Sequence, residues 1–273
     1  MTVQNGICYV QAADCRIRVR RITPPVPKRP ALVFLHEGLG NIEIWRDFPD
    51  VLCRETGCTG VIYDRRGYGG SDMFPDTWSA DYQTLEATRY LPAVLDACGI
   101  DRALLIGHSD GGTIALIAAA TCPERVTGVI TEAAHIFNEP VTRAGIREAV
   151  TAYETGRLKK RLSRYHGDHT EMIFRRWADR WLSPEFRTWN IDPLLPHVTC
   201  PVLAIQGAED EYGSPAQAEG IVRQVSGPAE IQLVPGCQHI PHLQAQQTVL
   251  ARMKRFIRNI RSVAFAEQRD LLL

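Results

Sequence analysis

Short apolar runs bounded by turn residues recur along the chain, and longer stretches with a helical repeat separate them. Continuous apolar runs of this length are typical of strands that are buried on both faces, as in a parallel sheet. The predicted buried strands are 31–35, 60–63, 103–106, 126–131, 201–205 and 230–234. Near the start, GICYVQA and CRIRVRRI alternate apolar with polar residues, which predicts an antiparallel pair with one exposed face.

The helical stretches fall between these strands. The predicted helices are 42–56, 77–98, 113–120, 214–225 and 248–261. Gly99 follows the second helix, at a position where glycine commonly ends a helix. The third is nearly all apolar, which predicts a buried helix. The alternation indicates an α/β fold, with a mostly parallel sheet of eight strands flanked by helices.

One block, residues 135–197, interrupts the alternation. It contains no strand pattern, and its helices and loops are rich in Trp, Tyr, His and Arg. We interpret it as a helical cap inserted into a core formed by residues 1–134 and 198–273. Its three tryptophans, Trp177, Trp181 and Trp189, indicate either packing onto the core or a pocket wall.

Charge and composition narrow the class of partner. The 273 residues include 31 Lys and Arg and 31 Asp and Glu, a balance that argues against nucleic acid or a membrane surface as partner. The short basic clusters RIRVRRI and RLKKRLSR are interpreted as solvated faces. The first twenty residues lack the apolar region of a signal peptide, and no apolar run reaches the roughly 18 residues of a membrane span, so we expect a cytoplasmic protein. Eight dispersed cysteines lack metal-ligand spacing, which predicts reduced thiols and no metal site.

The segment Gly107-His108-Ser109-Asp110-Gly111 fits the pattern G-x-S-x-G. A predicted strand precedes it and a predicted helix follows it, with no room for a loop. A strand-to-helix turn this tight needs small neighbours and raises the serine hydroxyl at the N-terminus of the helix. The free N–H groups there suit a developing oxyanion, so the serine is a candidate nucleophile rather than a plain turn residue.

A nucleophilic serine needs a base, and the base needs an orienting acid. The acid is expected just after a late strand, where PVLAIQGAEDEYG supplies Asp210, with Glu209 and Glu211 as alternatives. The base is expected after the last strand, where EIQLVPGCQHIPH supplies His239. His242 is assigned instead to the next helix start or to the pocket rim.

The motifs FLHEGLG, YDRRGYGGSD, GHSDGG, GAED and GCQH stand in the order found in the α/β-hydrolase superfamily. From about residue 30 to residue 256 the chain resembles this superfamily. The resemblance implies a serine hydrolase with a Ser-Asp-His triad, a cap before the strand that carries the acid, and no cofactor.

By the same resemblance, the oxyanion hole uses the backbone N–H of Asp110 and an N–H of the loop after the first buried strand, assigned to Gly38. Relatives usually read H-G-x-x-G in that loop, whereas Glu37 replaces the first glycine here. Glu37 either ties down the loop, through backbone N–H groups or through Arg65 or Arg66, or it contacts a substrate amine or hydroxyl or positions water.

Four side chains are candidates for substrate contact or the pocket wall: Glu37, His135, Trp177 and Trp181. The Asp110 carboxylate is expected either to cap the following helix or to bind a polar substrate group.

The predicted reaction is hydrolysis of a carboxylic ester or related acyl bond, such as a thioester or lactone. We expect a small-molecule substrate with an apolar or aromatic acyl group, and a monomer or homodimer. Three alternatives stay open: hydrolysis of a C–C bond in a β-diketone-like substrate, a cofactor-free dioxygenase, and a receptor-like protein that only binds its ligand.

Overall fold

Eight strands form one sheet in a computed structural model of the chain, which describes residues 4–74 and 81–270. The strands are β1 (Gln4–Ala12), β2 (Cys15–Thr23), β3 (Lys28–Leu35), β4 (Cys58–Tyr63), β5 (Ala103–His108), β6 (Val126–Glu132), β7 (Val202–Gly207) and β8 (Ala229–Val234). Their order across the sheet is β1-β2-β4-β3-β5-β6-β7-β8. Pairing is antiparallel between β1 and β2 and between β2 and β4, and parallel elsewhere. The predicted mostly parallel sheet is confirmed.

Helices cover the sheet and fill the long connection between β6 and β7. The α-helices are α1 (Phe48–Thr56), α2 (Tyr82–Leu85), α3 (Leu91–Ala97), α4 (Asp110–Thr121), α5 (Pro140–Glu154), α6 (Arg157–His166), α7 (Thr170–Leu182), α8 (Pro215–Gln224), α9 (Pro241–Gln244) and α10 (Gln246–Asp270). A π-helical turn, Glu86–Tyr90, joins α2 to α3. Short 3-10 turns occur at Ile42–Trp45, Pro123–Arg125, Gly167–His169, Pro184–Thr188 and Asp192–His197.

Three predicted helix boundaries are wrong. The helix predicted over 248–261 continues to Asp270. The helix predicted over 42–56 is interrupted at Arg46, whose positive φ of 51° ends the 3-10 turn before α1 begins. The helix predicted to start at 113 starts at Asp110, because Gly111 and Gly112 pack closely against neighbouring chain segments instead of forming a turn. The first residues of the predicted helix 77–98 include positions outside the described residues. Its C-terminal end is as predicted, with Gly99 at φ 69°.

The central strands are buried on both faces, which explains their continuous apolar sequence. In β5, Leu105 packs in the cluster that contains α3, α4 and α8, whereas Leu104 packs in the cluster that contains α1 and α10. All six residues of β5 are buried. A strand in this position has no solvated face, so polar alternation is absent from it.

Side chains of the connection between β6 and β7 form a third apolar cluster, which also includes Leu39 and Tyr68 from outside the connection. Ile146, Tyr153, Phe174 and Trp181 pack together there with residues of α6 and of the turn Pro184–Thr188. Trp181 is buried, whereas Trp177 is half-buried. The assignment of residues 135–197 as a cap is a proposal that this separate cluster supports.

None of the helices within residues 4–74 and 81–270 is long and apolar enough to cross a membrane. All eight cysteines lie within these residues, and no two of them form a disulfide.

The junction between β5 and α4 leaves no room for a side chain at Gly107. A Cβ atom there would lie 2.1 Å from the carbonyl oxygen of Gly111 and 2.5 Å from the backbone nitrogen of Gly112. We therefore expect Gly107→Ala to lower the free energy of unfolding by about 1–3 kcal/mol or more, as overpacking does. Urea denaturation measures this change. Gly6→Ala is the matched control, since a Cβ atom at Gly6 meets nothing within 4 Å. Equal unfolding midpoints for the two variants would contradict the expectation.

Candidate active site

Ser109 lies at the one-residue junction between β5 and α4. Its backbone has φ 52° and ψ −118°, a conformation that residues with a side chain rarely adopt and that costs about 1–3 kcal/mol. The surroundings hold it there: Ser109 N donates to the carbonyl of Glu132 over 2.8 Å, and the carbonyl of Ser109 accepts from Gly112 N over 2.8 Å. The strained turn therefore presents the hydroxyl at the N-terminal end of α4.

His239 and Asp210 meet at the same edge of the sheet. Asp210 follows β7 and His239 follows β8, and Nδ1 of His239 lies 2.9 Å from both carboxylate oxygens. Gln206 Nε2, at 2.6 Å, and Tyr212 N, at 2.8 Å, also donate to this carboxylate. Since Nδ1 is the donor to Asp210, Nε2 of His239 is the ring atom that can accept a proton.

The pKa shifts of this pair suit a base and its orienting acid. Burial disfavours a charge on His239, but the charge and hydrogen bond of Asp210 outweigh it, so the pKa of His239 is raised. Burial also disfavours the Asp210 carboxylate, yet His239 and the Tyr212 N–H lower the pKa of Asp210 below its ordinary value. Asp210 therefore remains ionised and fixes the tautomer of His239.

Ser109 and His239 line one cavity of about 120 Å³. The same cavity is lined by the other residues predicted for the site: Glu37, Gly38, Asp110, His135, Trp177 and Trp181. Asp210 lies behind His239. Within the described residues the Ser109 hydroxyl has no hydrogen-bond partner, an arrangement common in ligand-free sites whose hydrogen bonds tighten when substrate binds. The described residues contain no group of three or more His, Cys, Asp or Glu that could hold a metal.

The loop after β3 is held by the carbonyl oxygen of Glu37. That oxygen lies 2.7 Å from His36 Nδ1 and accepts from Arg65 Nη2 over 2.9 Å and from Gly40 N over 3.1 Å. A Cβ atom on Gly38 would lie 2.5 Å from the Trp177 ring, so glycine is required for this close approach.

The chain also matches a known protein family. Residues 32–252 match the family described as "Alpha/beta hydrolase family", which is well over half of the chain. The chain belongs to this family. It is 29% identical over 196 residues to human serine hydrolase BPHL, a match that covers 68% of this chain and 65% of that protein, which is less than two thirds of its length.

Two solved structures show the same fold. The enol-lactonase from Burkholderia xenovorans LB400 has a TM-score of 0.72 at 16% identity, covering 92% of this chain and 99% of that chain. The 2-hydroxy-6-oxo-6-phenylhexa-2,4-dienoate hydrolase BphD from Rhodococcus sp. strain RHA1 has a TM-score of 0.73 at 17% identity, covering 94% and 100%.

In this alpha/beta hydrolase, Glu37 ties down its own loop. Its carboxylate Oε2 accepts from Leu39 N over 2.5 Å. Of the two predicted anchors for this carboxylate, the structure shows the backbone N–H and not an arginine: Arg65 binds the Glu37 carbonyl, and Arg66 binds Asp14. Burial raises the pKa of Glu37, although the Leu39 N–H opposes the rise.

The Asp110 carboxylate does not cap α4, contrary to one of the two predictions for it. Tyr82 O–H donates to its Oδ2 over 2.7 Å, Gln83 Nε2 donates to its Oδ1 over 3.0 Å, and Arg65 Nη2 lies 3.9 Å away. Asp110 is already the first helical residue, so its side chain reaches α2 rather than the N–H groups of its own helix. The backbone N–H of Asp110 has no acceptor within the helix.

Sequence reasoning missed a second histidine–carboxylate pair below the cavity. His242 Nδ1 lies 2.7 Å from Glu132 Oε2, and both side chains are fully buried. His242 lies in α9, as one prediction had it, but not at the pocket rim. The carbonyl of His239 lies 2.7 Å from Nε2 of His108, whose ring contacts that of His242. No sequence motif marks Glu132, because its partner is 110 positions away.

Histidines also support the cavity wall. His135 Nε2 lies 2.9 Å from the carbonyl of Tyr212, and the His135 ring packs edge-on against Trp181. His166, from α6, has Nε2 2.8 Å from the carbonyl of Leu39, and its Nδ1 accepts from Gly69 N over 3.3 Å. Burial lowers the pKa of both His135 and His166, so both are neutral at pH 7. His166 thus links α6 to the loop that carries Gly38.

The raised pKa of His239 predicts the pH dependence of Ser109 reactivity. The base must be neutral, and a raised pKa keeps it protonated to higher pH. The rate of Ser109 modification by a fluorophosphonate is therefore expected to reach half its maximum at a pH above 6.5, the ordinary histidine value. Asp210→Asn removes the carboxylate that raises the pKa of His239. In this variant the midpoint of the labelling rate should therefore move to lower pH, and the maximal labelling rate should fall. A wild-type midpoint at or below 6.5 would be inconsistent with this electrostatic arrangement.

Glu37 offers a separate test of its structural role. Glu37→Gln keeps an acceptor for Leu39 N–H, so we expect Ser109 reactivity within about twofold of wild type and slightly lower thermal stability, since the bond loses its charge. Glu37→Ala leaves that N–H without its partner, a change that costs about 1–3 kcal/mol. Thermal unfolding and the labelling rate measure the two effects. A large loss of reactivity in Glu37→Gln alone would show that the charge acts in the reaction.

Proposed function

We propose that this alpha/beta hydrolase cleaves a carboxylic ester, or a related acyl bond such as a thioester or lactone, through an acyl-enzyme on Ser109. The observation that carries the proposal is one cavity that contains a serine held in a strained turn at a helix N-terminus and the histidine of a His239–Asp210 pair.

In the proposed first half-reaction, His239 Nε2 takes the proton of Ser109 as Oγ attacks the carbonyl carbon. The backbone N–H groups of Asp110 and Gly38 donate to the oxyanion that forms. Loss of one such donor lowers the rate by about 10²–10³-fold in a characterised case. His239 then gives its proton to the departing oxygen or sulfur atom, and the acyl group stays on Ser109.

In the second half-reaction, His239 takes a proton from water, and the hydroxide oxygen attacks the acyl-enzyme. The proton then returns to Ser109 as the acid leaves. Asp210 remains a carboxylate throughout and stabilises the protonated imidazole. These steps balance without any metal or organic cofactor.

The comparisons support this reaction class at a coarse level. The human relative is named as a serine hydrolase and one structural neighbour as an enol-lactonase, whose substrate contains a cyclic ester. The cavity is smaller than the roughly 300–1,000 Å³ of sites for drug-sized ligands. We therefore infer a small substrate, with an apolar acyl portion that lies against the residues of the proposed cap.

Hydrolysis of a C–C bond next to a ketone is the second candidate. The observation in its favour is the neighbour BphD, whose named substrate has a 6-oxo group that a serine could attack. The same nucleophile and base serve both reactions, so the substrate decides between them.

The nucleophile can be tested by intact-protein mass after treatment with a fluorophosphonate. One adduct per chain is expected on wild type and none on Ser109→Ala, because only a serine beside a base reacts at an appreciable rate. Ser163→Ala is the matched control, since Ser163 lies exposed on α6 and outside the cavity. It should label like wild type.

Hydrolysis of 4-nitrophenyl esters, acyl-CoA thioesters and β-diketones then separates the reaction classes. Turnover of the esters or thioesters that disappears in Ser109→Ala is the expected outcome. Turnover of the diketones alone would replace acyl hydrolysis by the C–C reaction. Full labelling of Ser109→Ala would remove Ser109 as the nucleophile.

A further inference from the structure

Arg161 lines the cavity that contains Ser109 and His239, and the proposed reaction gives it no role. It belongs to α6 and to the basic segment RLKKRLSR, which the sequence indicated to be a solvated face. Leu158 lies one helical turn before Arg161, and Leu162 follows it. Both leucines are buried and line the same cavity. Arg161 therefore lies at the edge of the apolar stripe of α6, on the side that faces the cavity.

The described part of the chain supplies no counter-ion to the guanidinium of Arg161. Within the described residues it makes no hydrogen bond and has no carboxylate oxygen within 4 Å. Two other cations of α6 and α7 are paired: Lys159 Nζ lies 2.8 Å from Glu171, and Arg175 Nε lies 3.1 Å from the same carboxylate. Arg161 is thus available to an anion in the cavity.

The acidic groups nearby do not neutralise it. Burial, together with Glu211 and Glu37, raises the pKa of Tyr212 to about 12, and Arg161 acts on that pKa in the opposite direction. The carboxylates of Glu211 and Glu37 and the guanidinium of Arg161 therefore all act on the charge of Tyr212. Since none of their oxygens reaches Arg161 within ion-pair distance, a substrate anion in direct contact would interact with it more strongly.

The rest of the wall favours an apolar chain that ends in a charge. Ile146 and Ala149 of α5, Leu158 of α6 and Trp177 of α7 supply apolar surface to the same cavity as Arg161. A guanidinium matches a carboxylate with two parallel hydrogen bonds. An ion pair is also worth more beside apolar walls than in open water.

We propose that Arg161 binds a carboxylate at the far end of the substrate's acyl chain, so that the substrate is an ester of a dicarboxylic acid. The inference rests on the proposed function. We place this carboxylate on the acyl part because the acyl group stays on Ser109 until water attacks it and must remain in position until then. The alcohol leaves after the first half-reaction. The carboxylate is distant from the reacting carbonyl, so its contribution is to binding and affects KM more than kcat.

The test compares two esters of equal chain length, 4-nitrophenyl hydrogen adipate and its methyl ester, methyl 4-nitrophenyl adipate. Wild type is expected to prefer the hydrogen adipate. Arg161→Gln should lower kcat/KM for the hydrogen adipate by roughly 10- to 100-fold, mainly through KM, and leave the methyl ester within about twofold. Arg161→Lys keeps the charge but cannot form two parallel hydrogen bonds. Its kcat/KM for the hydrogen adipate should lie between those of wild type and Arg161→Gln.

Arg164→Gln is the matched control. It makes the same change on the same helix, at an arginine that is exposed as Arg161 is but does not line the cavity, and should leave both substrates unaffected. Thermal unfolding of each variant verifies folding. The inference is overturned if Arg161→Gln affects both esters equally or neither, while wild type still hydrolyses the methyl ester. That result would leave the acyl-hydrolase proposal standing. If wild type cleaves neither ester faster than Ser109→Ala and takes up no fluorophosphonate, both proposals fail.

Discussion

The geometry of the site depends on close packing around a single strained residue. Ser109 keeps φ 52° only because Gly107 and Gly111 allow the backbone of α4 to approach the ends of β5 and β3. A Cβ atom on Gly111 would lie 2.0 Å from the carbonyl oxygen of Leu35, so the same packing also sets the position of the loop that follows β3. The close approach of Gly111 to Leu35 therefore positions both the nucleophile and the candidate oxyanion loop.

Parallel strands explain how distant segments reach this contact. The carboxyl ends of β3, β5, β7 and β8 lie at one edge of the sheet, where open α/β sheets bind their ligands. The sheet therefore brings Asp210 and His239 together although they are 29 positions apart. Since burial makes a charge on the imidazole unfavourable, the bond to this carboxylate decides whether His239 can act as a base.

The sequence predicted what depends on local pattern and on strand ends. Ser109 follows its strand directly, and Asp210 and His239 lie in the short loops after β7 and β8, so their positions could be inferred from the α/β alternation and the expected order of the three residues. The start of α4 could not, because Gly111 has a low helix propensity in isolation and is helical only through tertiary packing. The Glu132–His242 pair and the cavity-facing position of Arg161 were also missed. Both depend on side-chain directions between remote segments, which residue type and spacing do not specify.

The three donors on the Glu37 carbonyl have a consequence for the neighbouring amide. The peptide unit from Glu37 to Gly38 is planar and trans, so a carbonyl turned toward His36 and Arg65 turns the Gly38 N–H the opposite way. Hydrogen bonds to a peptide oxygen also polarise the unit and make its N–H a stronger donor. Arg65 does not need to contact the substrate. By binding the Glu37 carbonyl, it polarises this peptide unit and so strengthens the hydrogen bond from the Gly38 N–H to the proposed oxyanion.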